Sequence, residues 1–262
     1  IHHYSTNFNN DVSDDVNLFN DYNGIPVTLK AVVYRWYEAE NVWSIQCIGL
    51  EDEVIAEPFE EEIGSLRANV SYIATGVVVG VNAQSFLLKD ETGSILVYKG
   101  SGWTVDVKVG DKVTVQGLST SYALAVQFGK DAEYEVVGEE TVTAPNPKEL
   151  TAAEISEYAT KEAVTPIYVK VTGKLSVSGN YFNLNFEGVE AIIGSITYPI
   201  DADKLTALDG KELEVTGYVT GVASGKFLNL LVDSYKEVEN NEQPSEPVEK
   251  TIGEVLTSVA GL

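Results

Sequence analysis

The sequence predicts an all-β chain assembled from a repeated unit. Two observations predict it. Runs rich in Val, Ile, Thr and Tyr recur at residues 72–81, 112–117, 167–175 and 212–217, the residue types that pack best on a pleated surface. Turn residues separate them, at Asn23-Gly24, Thr92-Gly93, Gly110-Asp111, Gly179-Asn180 and Asp209-Gly210. The second observation is the pattern G-x-x-[VL]-x-[VL]-x-[GA]. It occurs at Gly24, Gly110 and Gly210, each followed at the same offsets by two core-type residues and a small one: Val27, Leu29, Ala31; Val113, Val115, Gly117; Leu213, Val215, Gly217. A turn glycine, two residues on one strand face and then a small residue describe a strand that bends sharply at its end.

The other elements follow from the same repeat. Ile63-Gly64-Ser65-Leu66 resembles Ile252-Gly253-Glu254-Val255, and residues 151–155 occupy the same place between them. Thr151 with Glu154 has the spacing of a capping box, so one short helix is expected ahead of each set of strands. Glu60, Glu61 and Glu62 are expected at such a helix N-terminus, where negative charge suits the dipole. First strands match as Ile73-Ala-Thr-Gly76 and Lys170-Val-Thr-Gly173, and second strands as Phe86-Leu-Leu88 and Phe182-Asn-Leu184. The repeat divides the chain into four segments. Residues 59–147 and 148–240 are each a whole unit, 1–58 the back half of one, and 241–262 a linker with the opening helix of another. The chain starts at Ile1 and holds no Met, which predicts processing or trimming from a longer array.

Residues 86–97 read Phe-Leu-Leu-Lys-Asp-Glu-Thr-Gly-Ser-Ile-Leu-Val. They resemble the hairpin between strands two and three of OB-fold domains of the anticodon-binding type, with its F-x-L-x-D-x-T-G-x-I-x-V pattern. Residues 109–117 resemble the start of strand four. The resemblance implies tandem five-stranded Greek-key OB-like barrels, each preceded by a short helix. In the second unit residues 182–188 lack the D-x-T-G turn. Tandem, acidic, cysteine-poor units of this kind also resemble modules of secreted surface lipoproteins of gut Bacteroidetes. That likeness implies an extracellular or outer-surface location and a lipid anchor upstream.

Composition narrows the chemistry. The net charge is −23, from 17 basic and 40 acidic residues, and Arg35 and Arg67 are the only arginines. Nucleic-acid binding draws on Lys and Arg that neutralise phosphates, so a polyanion is disfavoured. One Cys and two His cannot build a Cys/His zinc site or an internal disulfide. No apolar stretch reaches transmembrane length. His2 and His3 have no partner pattern for nucleophilic catalysis, and Cys47 lies on an alternating strand as a small hydrophobe. No phosphate-cradling motif occurs. The chain is therefore expected to be no enzyme and to need no cofactor. Asp11, Ser13, Asp15 and Asn17 have the first four oxygen positions of a calcium loop, but Val16 replaces its Gly and Tyr22 its final Glu.

OB-folds take oligonucleotides or oligosaccharides across strands two and three and the adjoining loops. In the first whole unit that face would draw on Lys89, Tyr98, Lys99 and Trp103, with Tyr122 and Phe128 from the later hairpin. Tyr34 and Trp36 share one face of a strand in the densest aromatic cluster. The leading expectation is a non-catalytic extracellular binding or spacer module with an oligosaccharide or protein ligand. Its alternatives are single-strand nucleic-acid binding by the 59–147 barrel, and an accessory domain of a hydrolase lying outside this chain.

Overall fold

A computed structural model describes residues 58–238, apart from the Phe59 side chain, and the backbone of 29–37 and 42–50. Strands β1 (Leu29–Tyr37) and β2 (Val42–Leu50) pair antiparallel as a separate two-stranded sheet, Trp36 opposite Trp43.

The remaining strands form two closed five-stranded barrels. The first uses β4 (Ser71–Val81), β5 (Ser85–Lys89), β6 (Ser94–Tyr98), β7 (Asp111–Tyr122) and β8 (Ala125–Phe128). Strands β4, β5 and β6 follow one another antiparallel, β6 meets β8 in parallel, and β7 joins β8 to β4 and closes the ring. That order, with a parallel contact between third and fifth strands, is the Greek-key connectivity expected of an OB-like barrel. Two short additions widen the sheet: β3 (Phe59–Glu60) along β4, and β9 (Glu133–Glu139) along β7. The second barrel repeats the scheme. After β10 (Lys148–Glu149) and helix α1 (Ala152–Glu157) come β11 (Ile167–Ser178), β12 (Tyr181–Asn185), β13 (Ile193–Ile196), helix α2 (Ala202–Thr206), β14 (Glu212–Ala223) and β15 (Phe227–Glu237). Again the third and fifth strands, β13 and β15, run parallel, and β14 closes onto β11.

Period-two alternation fills each interior. Tyr72, Ala74, Val78, Phe86, Leu88, Val97, Val113, Val115 and Phe128 make the first core; Val169, Val171, Leu175, Leu184, Leu213, Val215 and Leu228 belong to the second. The repeat motif has the expected physical content. Gly110 (φ 100°) and Gly210 (φ 78°) take left-handed turns into the fourth strands, a conformation that costs glycine little. A side chain on Gly117 would collide with Ala132, and one on Gly217 with the Leu231 carbonyl.

The opening element differs between the units. Thr151 and Glu154 form the predicted capping box on α1. In the first unit residues Ile63–Ser65 are a single 3-10 turn, so Glu60 lies in β3 and Glu62 caps the turn without a side-chain bond. What seats that turn is the D-x-T-G hairpin. The Asp90 carboxylate accepts from the Thr92 and Gly93 N–H groups, from the Thr92 hydroxyl, and across the structure from the Ile63 N–H (2.8 Å). The Thr92 hydroxyl accepts in turn from Gly64 N–H. The second unit has no Asp there. Phe186 is buried instead, against the space over Gly194, and shares a cleft wall with Ile155 of α1. One unit is latched by a carboxylate and the other by a hydrophobic plug.

Burial pushes the Asp90 carboxyl up, but the four donated hydrogen bonds outweigh it and hold the pKa below the usual value. A lowered folded pKa stabilises above the unfolded value of about 3.9 and is lost as pH falls through the folded one. Asp90→Ala should therefore cost about 1–3 kcal/mol at neutral pH. In thermal melts the gap to the unsubstituted chain should narrow below about pH 3.9.

Candidate functional site

The face expected to bind ligand is where the two barrels meet. On the β5–β6 hairpin, Phe86 and Leu88 point inward while Leu87 and Leu96 pair on the outer face. Leu87 is fully buried there with Leu231 and Tyr218 of the second barrel, flanked by Val79, Leu96 and Tyr168. A bulge between Val78 and Gly80 turns Gly80 to this side. A Cβ at Gly80 would lie 2.7 Å from Leu231 Cδ2, so the barrels approach as closely as a missing side chain allows. The Tyr168 and Tyr218 rings lie 4.8 Å apart, tilted by 50°, and the Tyr168 hydroxyl donates to Asp233. Burial first, and Asp233 second, push that hydroxyl's pKa up.

Hydrogen bonds fix the loops around the apolar patch. Asn82, only 3% exposed, accepts from the Gln84 N–H and the Ser85 hydroxyl, and donates to the Thr197 carbonyl of the other barrel. Ala83 N–H donates to the Tyr198 carbonyl (2.8 Å). The β7–β8 turn, Ala123 (φ 51°) and Leu124 (φ 63°), presents both carbonyls to the second barrel, accepting from Val222 and Val164 N–H respectively. A Cβ on Gly221 would come within 2.5 Å of the Ala123 oxygen. The loops between strands one and two and between strands four and five of the first barrel are thus both used in docking.

This arrangement redistributes the predicted residues. Phe128 is fully buried in the first core and cannot meet a ligand; it faces inward at the end of the parallel β6–β8 contact. Trp103 packs on Phe86 (5.9 Å) and donates from Nε1 to the Tyr134 hydroxyl (2.6 Å), which donates to Asp106. Burial, then Asp106, push Tyr134 up to about 12. Trp103 therefore covers the first barrel from the segment between its third and fourth strands, the place that α2 with its buried Leu205 fills in the second. Lys99 is also committed: its ammonium donates to the Lys130 and Ala132 carbonyls and lies 5.3 Å from the Tyr134 ring centre. Lys89 stands exposed at the far end of the hairpin, beside the Asp90 turn. Tyr34 and Trp36 lie on β1, whose side chains are outside the described residues, as are Asp11, Ser13, Asp15 and Asn17 altogether.

Tyr98 and Tyr122 both lie at the seam between the barrels, with two residues that sequence reasoning missed. Tyr98 ends β6 and Tyr122 ends β7; Tyr181 begins β12 and Tyr198 follows β13. The Tyr98 and Tyr198 rings are 6.2 Å apart and tilted by 41°. Phe182 pairs with Ile196, which sets the preceding Tyr181 beside Thr197 and Tyr198, and Tyr122 directly precedes Ala123, whose carbonyl meets Val222 N–H at the seam. Burial pushes the Tyr198 hydroxyl up, and Tyr98 adds to the shift. Tyr198 has a left-handed backbone (φ 46°), uncommon for a bulky residue. Tyr198 stands at the same offset before Gly210 as Tyr98 before Gly110, but a repeat spacing does not predict contact; barrel docking brings the two rings together.

No family model matches the chain. Over 241 residues it is 22% identical to the protein named endonuclease YhcR of Bacillus subtilis (strain 168). That alignment covers 86% of this chain but 20% of the relative, so the chain spans about a fifth of that protein's length. The likeness overturns the expectation that the chain is no enzyme. That expectation rested on the lack of nucleophile and metal motifs, and a stretch matching a fifth of an enzyme need carry none of them. Among the described residues no helix is long and apolar enough to cross a membrane.

The seam rests on Asn82. Asn82→Ala leaves the Gln84 N–H and Ser85 hydroxyl without their acceptor in a buried place and removes a bond between barrels. A loss of about 2–4 kcal/mol is expected, read as a lower denaturant midpoint in chemical unfolding.

Proposed function

We propose that this chain belongs to a nucleic-acid-cleaving protein and supplies barrels that engage its substrate. The observation that carries the reading is the alignment to an endonuclease across 86% of the chain, a share large enough to reach into both barrels. The OB-like topology supports it, because such barrels hold oligonucleotides. The net charge of −23 counts against affinity built on phosphate contacts. Lys99 strengthens that point, since its ammonium is spent on backbone carbonyls. What remains is recognition through bases, by aromatic stacking. Residues 1–58 and 241–262 we take as parts of further units of the same kind. The acidic composition and the likeness to surface lipoprotein modules support a location outside the cell.

Fluorescence polarisation with labelled oligo-dT tests the reading directly. The chain should bind the single strand in preference to the corresponding duplex. Log affinity should fall with log salt at a slope no steeper than about −1.4, the value for two phosphate contacts to a single strand. Absence of oligo-dT binding at low salt would refute the reading.

A further inference from the structure

Resting on that functional reading, we infer that Tyr98, Tyr122, Tyr181 and Tyr198 form a base-stacking platform for single-stranded nucleic acid that exists only where the two barrels are docked. Each barrel contributes two rings, from four separate strand ends. Tyr122 is 56% exposed, Tyr181 71% and Tyr198 43%, unusually open for aromatic rings in a chain that buries Phe86 and Phe128 completely. The tilt between the Tyr98 and Tyr198 rings keeps them from closing face to face.

Tyr198 adds an independent observation. Its left-handed backbone (φ 46°) is unfavourable for a bulky residue and persists only when the surroundings impose it. Here the surroundings are the first barrel: Ala83 N–H holds the Tyr198 carbonyl, and Asn82 holds the neighbouring Thr197. Docking thus positions the ring beside Tyr98, whose hydroxyl donates to Gln84 of the same loop. Every base offers a π-face, so recognition should tolerate sequence. In a duplex those faces are covered by neighbouring pairs, which makes the occupant a single strand.

The test uses the 262-residue chain and labelled oligo-dT. Tyr122→Ala and Tyr181→Ala alter exposed rings, so both variants should fold with unchanged circular dichroism. Each should weaken binding about 5- to 150-fold, the loss of one stacked base. Tyr181→Phe keeps the ring and should bind like the unsubstituted chain. If the unsubstituted chain binds oligo-dT and both alanine variants bind as tightly, the platform is wrong and the functional reading stands. If the unsubstituted chain does not bind, both fall. Binding of a neutral oligosaccharide in place of oligo-dT, lost in the same variants, would overturn the nucleic-acid occupant while leaving the tyrosines as a site.

Discussion

The structure depends on one contact: the outer face of the β5–β6 hairpin, at Leu87 and Leu96, closed by Leu231 and Tyr218 of the second barrel. Leu87 and Leu231 are both fully buried there, worth about 1.5–3 kcal/mol each relative to exposure. A hairpin that would otherwise offer an open apolar strip is covered. The usual ligand surface of an OB-like barrel becomes an interior, and the loops that flank such a surface become fasteners. Whatever the chain binds must meet it elsewhere, and the rim of the same contact is where exposed aromatic rings gather.

The fasteners hold conformations that the chain would not choose alone. Ala123, Leu124 and Tyr198 all have left-handed backbones without being glycine, each unfavourable in isolation. Their carbonyls accept hydrogen bonds from the opposite barrel: Ala123 from Val222, Leu124 from Val164, and Tyr198 from Ala83. Strain and docking are therefore coupled, each side imposing on the other a backbone state that its own sequence disfavours. The two glycines at the seam, Gly80 and Gly221, serve the same end by letting backbone come close.

Much of the fold could be read from the residues. Two of the three glycine-led copies of one strand motif located fourth strands, Gly110 and Gly210 turning left-handed into them, while the Gly24 copy begins outside the described residues. The Thr151–Glu154 spacing forecast a capping box that is present, because capping depends on local geometry alone. Asp90 and Thr92 were legible as a hairpin pattern, but their grip on Ile63 and Gly64 was not, since the partners lie 27 and 28 positions away. The candidate site was read less well for the same physical reason. Leu87 and Leu96 sit outward on an alternating hairpin, and alternation cannot say whether an outward apolar residue meets solvent or a second domain. Lys99 and Trp103 looked like ligand contacts because they follow the hairpin, yet the ends of a barrel need covering. Tyr198 stands at the repeat position of Tyr98, but that equivalence does not say that the two rings meet, and Tyr181 carried no signal at all.

An acidic chain similar to a stretch of an endonuclease fits the proposal that contact with nucleic acid runs through rings rather than phosphates, with the rings brought together by docking. Docking is thus the central claim. The most direct measurement is native-state hydrogen exchange at the three amides that cross the seam, Ala83, Val164 and Val222. The account predicts protection comparable to core amides of β4 and β14, lost in one cooperative step. Exchange at loop rates while those strands stay protected would show two independent barrels with an open hairpin face, and would contradict it.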